Sequence, residues 1–112
     1  MVFDETAFRE DLRRTGQAGC DVALATRAAY SRAGCPIASL RACDDAARDE
    51  TRLPGCVKVY LPSPAGRFGM VFAIERRRGR LLLAYLAFGV RHQPPEAHAP
   101  TVYQLAHRRL QS

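Results

Sequence analysis

The spacing of apolar positions changes near Arg52 from a helical period to that of strands, and returns to a helical period after Pro100. Asp4 stands as an N-cap with Glu5 in the first turn, and Phe8 and Leu12 follow at i, i+4 before Gly16 interrupts the pattern, which predicts a short amphipathic helix. Asp21 caps a second, Ala-rich helix from Val22 to Ser31, with Leu24, Ala28 and Tyr30 as its apolar positions and Gly34-Cys35-Pro36 as its stop. Ser39 to Arg48, acidic and weakly apolar, predicts one or two further helical turns.

After Leu53-Pro54-Gly55, alternation through Cys56-Val57-Lys58-Val59-Tyr60-Leu61 turns Val57, Val59 and Leu61 toward a core and Cys56, Lys58 and Tyr60 the other way. Ser63-Pro64-Ala65-Gly66 is turn chemistry, and Phe68 to Glu75 predicts a second strand. Arg76-Arg77-Arg78-Gly79-Arg80 predicts a basic turn into Leu81 to Val90, apolar at nearly every position as in a central strand covered on both faces. Links this short require an antiparallel meander, since parallel neighbours need a crossover of a dozen or more residues.

A Pro-rich loop from Gln93 to Pro100 leads to a closing helix capped by Thr101. Val102, Leu105, Ala106 and Leu110 form its apolar stripe, with Tyr103 at the edge and His107 one turn beyond. Arg109 falls inside the stripe, where it must snorkel, pair with an acid or lie in a frayed turn, because an unpaired buried guanidinium is costly. The 112 residues therefore predict a single α+β domain: two N-terminal helices, an antiparallel sheet of three to four strands and a C-terminal helix.

Charge is unevenly divided over this plan. From Arg52 onward there are ten basic residues against two acids, a net charge of +8, whereas the first 51 residues carry −2. Base composition accounts for sixteen Arg against one Lys, but not for the near absence of acids from one half. A field of this shape draws a polyanion, nucleic acid or an acidic protein, to the second half.

The acidic start Met1-Val2-Phe3-Asp4-Glu5 has no signal-peptide pattern, and the longest apolar run is about half of what a membrane span needs, so a cytoplasmic location with no membrane contact is expected. There Cys20, Cys35, Cys43 and Cys56 are expected as buried, reduced thiols. None of them has zinc-site spacing.

The order Leu53-Pro54-Gly55-Cys56-Val57-Lys58-Val59, an apolar hairpin, Gly89-Val90-Arg91, then Val102-Tyr103-Gln104-Leu105-Ala106-His107-Arg108-Arg109-Leu110 resembles the RelE/ParE superfamily of toxin–antitoxin toxins. The ending is the most specific part: a Gly-x-Arg strand end and a helix of the form Val-Tyr-x-x-Ala-x-x-Arg-Leu. The resemblance covers about residues 52 to 112.

The RelE branch implies a ribosome-dependent endoribonuclease that cuts messenger RNA by attack of the ribose 2′-hydroxyl, with no metal and no cofactor. It also implies a cognate antitoxin as partner, the toxin acting as a monomer or pairing as a homodimer within a larger antitoxin complex. By the same resemblance Lys58, Arg91 and Tyr103 are the catalytic candidates, with His92 as a proton donor and Arg67 as a further cation. Arg91, permanently charged and bidentate, suits phosphate stabilisation, and Tyr103 suits orienting the 2′-hydroxyl or stacking. Tyr60, Arg76, Arg77, Arg78, Arg80 and Arg108 are the RNA-binding candidates, a ring for stacking and cations for phosphates.

Three positions depart from the family. Its second lysine is Tyr60 here, its strand arginine falls on Gly69 with Arg67 displaced by two residues, and the loop between Arg91 and Tyr103 is longer. Two other functions fit the same residues: a non-enzymatic gyrase inhibitor of the ParE type, and a degenerate relative that binds RNA or a partner protein without cutting.

Overall fold

The structure, a computed structural model, describes residues 1–34, 37–43, 52–61, 67–94 and 97–111. The α+β plan holds, with one helix before a four-stranded antiparallel sheet and one after it. The two N-terminal helices that the sequence predicts run end to end as one span, α1 (Glu5–Ala33), with non-helical backbone between them. Gly16 is its break, with φ 73° and ψ −175°, where the sequence ends the first helix. The Thr15 hydroxyl donates to the Asp11 carbonyl at 3.0 Å, satisfying an acceptor near the interruption. Asp4 caps the start, accepting from the Ala7 N–H at 3.1 Å, and Gly34 closes the end in a positive-φ conformation. Asp21 does not cap a helix. It lies inside α1, where its carboxylate accepts from Gln17 at 2.7 Å.

The helical turns predicted over Ser39 to Arg48 give way to a 3-10 turn at Ile37–Ser39 and a two-residue strand, β1 (Arg41–Ala42). Residues 44–48 lie outside those described. Arg41 pairs with Lys58 and Ala42 with Val57, so the open side of the next strand, not local propensity, decides this segment.

The meander is β2 (Cys56–Tyr60), β3 (Phe68–Arg77) and β4 (Arg80–Val90), in sheet order β1-β2-β3-β4. The predicted turn at Ser63 to Gly66 lies outside the described residues. The basic turn is shorter than predicted: Arg78 and Gly79, at φ 51° and 77°, form a two-residue hairpin loop, and Arg76, Arg77 and Arg80 belong to the strands.

Both sheet faces are buried, by different helices. Val59, Leu61, Phe68, Met70, Phe72, Tyr85 and Phe88 form one core with Phe8 and Ala23 of α1. Cys56, Val71 and Ala87 form the other with Val102, Leu105 and Ala106 of α2 (Val102–Leu110). The face opposite Val57 and Val59 is thus a second core at Cys56 and partly open at Lys58 and Tyr60.

β4 is the last strand of the sheet, not the central one its apolar run suggests. Its outward backbone is satisfied by other means. Val2 donates to the Leu83 carbonyl at 2.9 Å and accepts from the Tyr85 N–H at 2.7 Å. Farther along, a bulge leaves Leu86 without a register partner between Ala87 and Tyr85. The Leu86 carbonyl accepts from Arg109 at 2.8 Å, and the Phe88 N–H donates to Asp11 at 3.0 Å.

Asp11, fully buried, meets Arg109 in a two-pronged pair with both contacts at 2.7 Å and also accepts from the Tyr85 hydroxyl. Of the three options open to Arg109, pairing with an acid is the one realised. The partner comes from 98 residues away and ties both helices around the rim of β4.

Candidate functional site

The site lies on the α2 side of the sheet, at the end of β3 and β4 away from the hairpin. Register sets Tyr60 opposite Gly69 and Gly69 opposite Gly89, a row in which two of three positions lack side chains. α2 begins over this gap: a Cβ on Gly89 would lie 3.7 Å from Val102 Cβ. The stem of Arg91 lies over the neighbouring gap, where a Cβ on Gly69 would meet Arg91 Cγ at 3.2 Å. Gly69 therefore makes room for an arginine that arrives from the next strand.

Arg91 follows the end of β4 and is held in place by its N–H, which donates to the Arg67 carbonyl at 2.8 Å. Its guanidinium carbon lies 3.7 Å from the centre of the Tyr60 ring, a close cation–π contact. Hydrogen bonding to Tyr103 holds Arg91 above the ordinary arginine range, against an opposing effect of burial and with smaller support from Tyr60. Tyr103 is presented by the first turn of α2, which is fixed by a reciprocal cap: Gln104 N–H donates to the Thr101 hydroxyl at 3.3 Å, and Thr101 N–H donates to the Gln104 side chain at 3.0 Å.

Lys58, one row along β2, places its ammonium 4.9 Å from the Tyr103 ring and 5.8 Å from the Tyr60 ring. The structure thus brings Lys58, Arg91 and Tyr103 together, with Tyr60 among them. It adds a cation that sequence reasoning missed. Arg41, the cross-strand partner of Lys58, lies 4.9 Å from the Tyr60 ring centre. Its segment reads as helical, so only the strand pairing reveals it.

Other candidates go elsewhere. His92 is exposed beyond Arg91, and the Arg67 guanidinium lies 5.8 Å from the Phe68 ring beside a separate cavity of about 230 Å³ bounded by Arg14 and Thr101. Arg76, Arg77, Arg78 and Arg80 lie at the hairpin end, eight residues along β3 from Gly69 and so about 25 Å away at roughly 3.3 Å per residue. Arg77 is paired there with Glu75 at 2.8 Å. Arg108 is exposed on α2, and His107 contacts the Arg52 carbonyl at 2.8 Å.

Cys20, Cys43 and Cys56 are free thiols, Cys56 buried and the other two half-buried; Cys35 lies outside the described residues. Among the described residues, no three His, Cys, Asp or Glu side chains gather where they could hold a metal ion, and no helix is long and apolar enough to cross a membrane. Comparison of the chain with protein-family models, curated proteins and solved structures yields no match.

Proposed function

We propose that the chain is a RelE-like endoribonuclease acting on messenger RNA at the ribosome. The observation that carries this reading is the convergence of Lys58, Arg91 and Tyr103 on one partly open sheet face, beside the Tyr60 ring. Two cations of fixed geometry suit a scissile phosphate and its flanking bases.

In the reaction the ribose 2′-oxygen forms a bond to phosphorus as the bond to the 5′-oxygen breaks, giving a 2′,3′-cyclic phosphate and a free 5′-hydroxyl. Arg91 stabilises the charge on the non-bridging oxygens, and Lys58 supplies a second positive charge nearby. Tyr103 orients the 2′-hydroxyl, whose proton passes to solvent as the bond to phosphorus forms. The leaving 5′-oxygen takes its proton from solvent.

The test is cleavage by purified protein on programmed ribosomes, read as 5′-hydroxyl ends. Arg91→Ala is expected to lower the rate by roughly two to three orders of magnitude. Unchanged cleavage by the folded variant would remove the assignment.

A second reading draws on Tyr60. Its ring stands where the family has a lysine and covers one face of Arg91 at 3.7 Å, an arrangement that serves binding without turnover. RNA retained intact by the parent protein, in a manner abolished by Arg91→Ala, decides for it.

A further inference from the structure

The rim of β4 is closed group by group from outside the sheet, and the closure stops at a cavity. Leu83 and Tyr85 bond Val2, the Leu86 carbonyl accepts from Arg109, and the Phe88 N–H donates to Asp11. The Arg91 N–H turns into the sheet toward the Arg67 carbonyl, so alternation points the Val90 N–H outward, as it does that of Phe88. Among the described residues none accepts from it. Val90 lines the cavity of about 230 Å³, which lies across the rim, with Phe68 and Phe88 from the α1 face and Gly89 and Val102 from the α2 face.

We infer that this cavity binds a small organic anion, a carboxylate or phosphate carried on a compact apolar body. Among the described residues that line it, Arg14 and Arg67 are the two charged side chains and none is an acid. Arg14 touches Asp11 through one nitrogen at 3.3 Å, while Arg109 already holds both Asp11 oxygens at 2.7 Å, so most of the Arg14 fork is left for a ligand. The Thr101 hydroxyl accepts from the Gln104 N–H and keeps its own proton to donate. With the Val90 N–H these groups make a donor set suited to an anion.

The rest of the wall is apolar. Phe68 and Phe88 stack with ring centres 5.4 Å apart, and Ala18 and Leu105 stand with them in the lining. The Arg67 guanidinium lies 5.8 Å from the Phe68 ring centre, so charge and apolar surface adjoin within one ligand's length. A volume of about 230 Å³ falls below the roughly 300–1,000 Å³ of larger ligand sites, which favours a body of about ten heavy atoms over a nucleotide. Neither Lys58 nor Tyr60 lines the cavity, so this seat is separate from the Arg91 cluster and goes beyond the RNA reading.

The experiment is a nuclear magnetic resonance titration of the labelled protein with phenylacetate, phenyl phosphate, the neutral phenylacetamide and inorganic phosphate. Both organic anions are expected to shift the amide signals of Val90 and Thr101, and the tighter of the two names the head group. Phenylacetamide keeps the ring without the charge and is expected to bind about tenfold more weakly than phenylacetate. Inorganic phosphate is expected to bind about tenfold more weakly than phenyl phosphate, for want of an apolar body. Arg14 and Ala18 are exposed on α1, so both can be changed without entering the core. Arg14→Gln is expected to weaken the organic anions about tenfold and leave phenylacetamide unchanged. Ala18→Leu, which fills part of the cavity, is expected to weaken all three ring-bearing ligands about tenfold.

Equal affinity for phenylacetate and phenylacetamide, or indifference to Arg14→Gln, removes the anion seat. Inorganic phosphate that matches phenyl phosphate removes the apolar part of the site. Shifts confined to Lys58, Tyr60 and Arg91 place the binding in the RNA cluster and overturn the inference, as does the absence of any shift at millimolar ligand.

Discussion

Gly69 does its work by what it lacks. A methyl group there meets Arg91 Cγ at 3.2 Å, so in Gly69→Ala the arginine stem must give by a few tenths of an ångström. Reduced chain entropy in the unfolded state offsets the tight contact at about 0.4–1 kcal/mol, which leaves stability within about 1 kcal/mol of the parent. Since a full shift of about 1 Å in a phosphate-binding group costs on the order of a hundredfold in rate, a loss of roughly tenfold or less is expected here. Thermal unfolding and cleavage measured on the same preparation are expected to part company, with melting kept and activity lowered. Cys43 gives a pH test. Burial, then the neighbouring Cys56, push its thiol up to about 11 from the ordinary 9.0. The folded chain therefore binds the proton more tightly than the unfolded one, so this contribution is complete below pH 9.0 and is lost as pH rises through about 11. Denaturant midpoints should fall more steeply over that window in the parent than in Cys43→Ser. At this scale Lys58, Arg91 and Tyr103 were singled out through a resemblance alone, and the structure brings the three side chains together. Arg41 was not singled out, since nothing in its own neighbours marks it as facing Lys58.

Among the elements, the change of period identified β2, β3, β4 and α2, and Thr101 marked its cap correctly. The sequence could not reveal β1, two residues long and without alternation, because it exists only through the hydrogen bonds that Val57 and Lys58 offer. Nor could it place β4 at the rim, since an apolar run records burial of both faces and is silent about what lies alongside. The hairpin loop makes a sharper point. Arg78 sits at φ 51° beside Gly79 at 77°, a conformation that suits Asn far better than a long side chain. Arg78→Asn is expected to raise the denaturant midpoint by an amount equivalent to about 0.5–1 kcal/mol, and a lower midpoint would contradict this turn assignment.

Across the whole molecule, the +8 of the second half is not one surface. Lys58 and Arg91 stand at one end of the sheet and the four hairpin arginines about 25 Å away at roughly 3.3 Å per residue, with Arg52, Arg67, Arg108 and Arg109 apart from both. Reversing Arg76 and Arg78 to Glu is expected to weaken binding of long RNA and to lower its salt slope by about one for each phosphate no longer neutralised. Binding of a dinucleotide, too short to reach both ends, should be unaffected; an equal loss for both ligands would show a single merged surface. The Asp11–Arg109 pair has a different kind of consequence. By helix logic alone, Arg109→Leu completes the apolar stripe of α2. In the fold it strands a fully buried carboxylate, at a cost of about 3–5 kcal/mol, and bares the Leu86 carbonyl. β4 then becomes a template on which a second molecule can add a strand, so the arginine that spoils the stripe is a guard against aggregation. Light scattering should rise with concentration for Arg109→Leu under conditions where the parent stays clear, and a variant that remains clear and melts higher would refute that role.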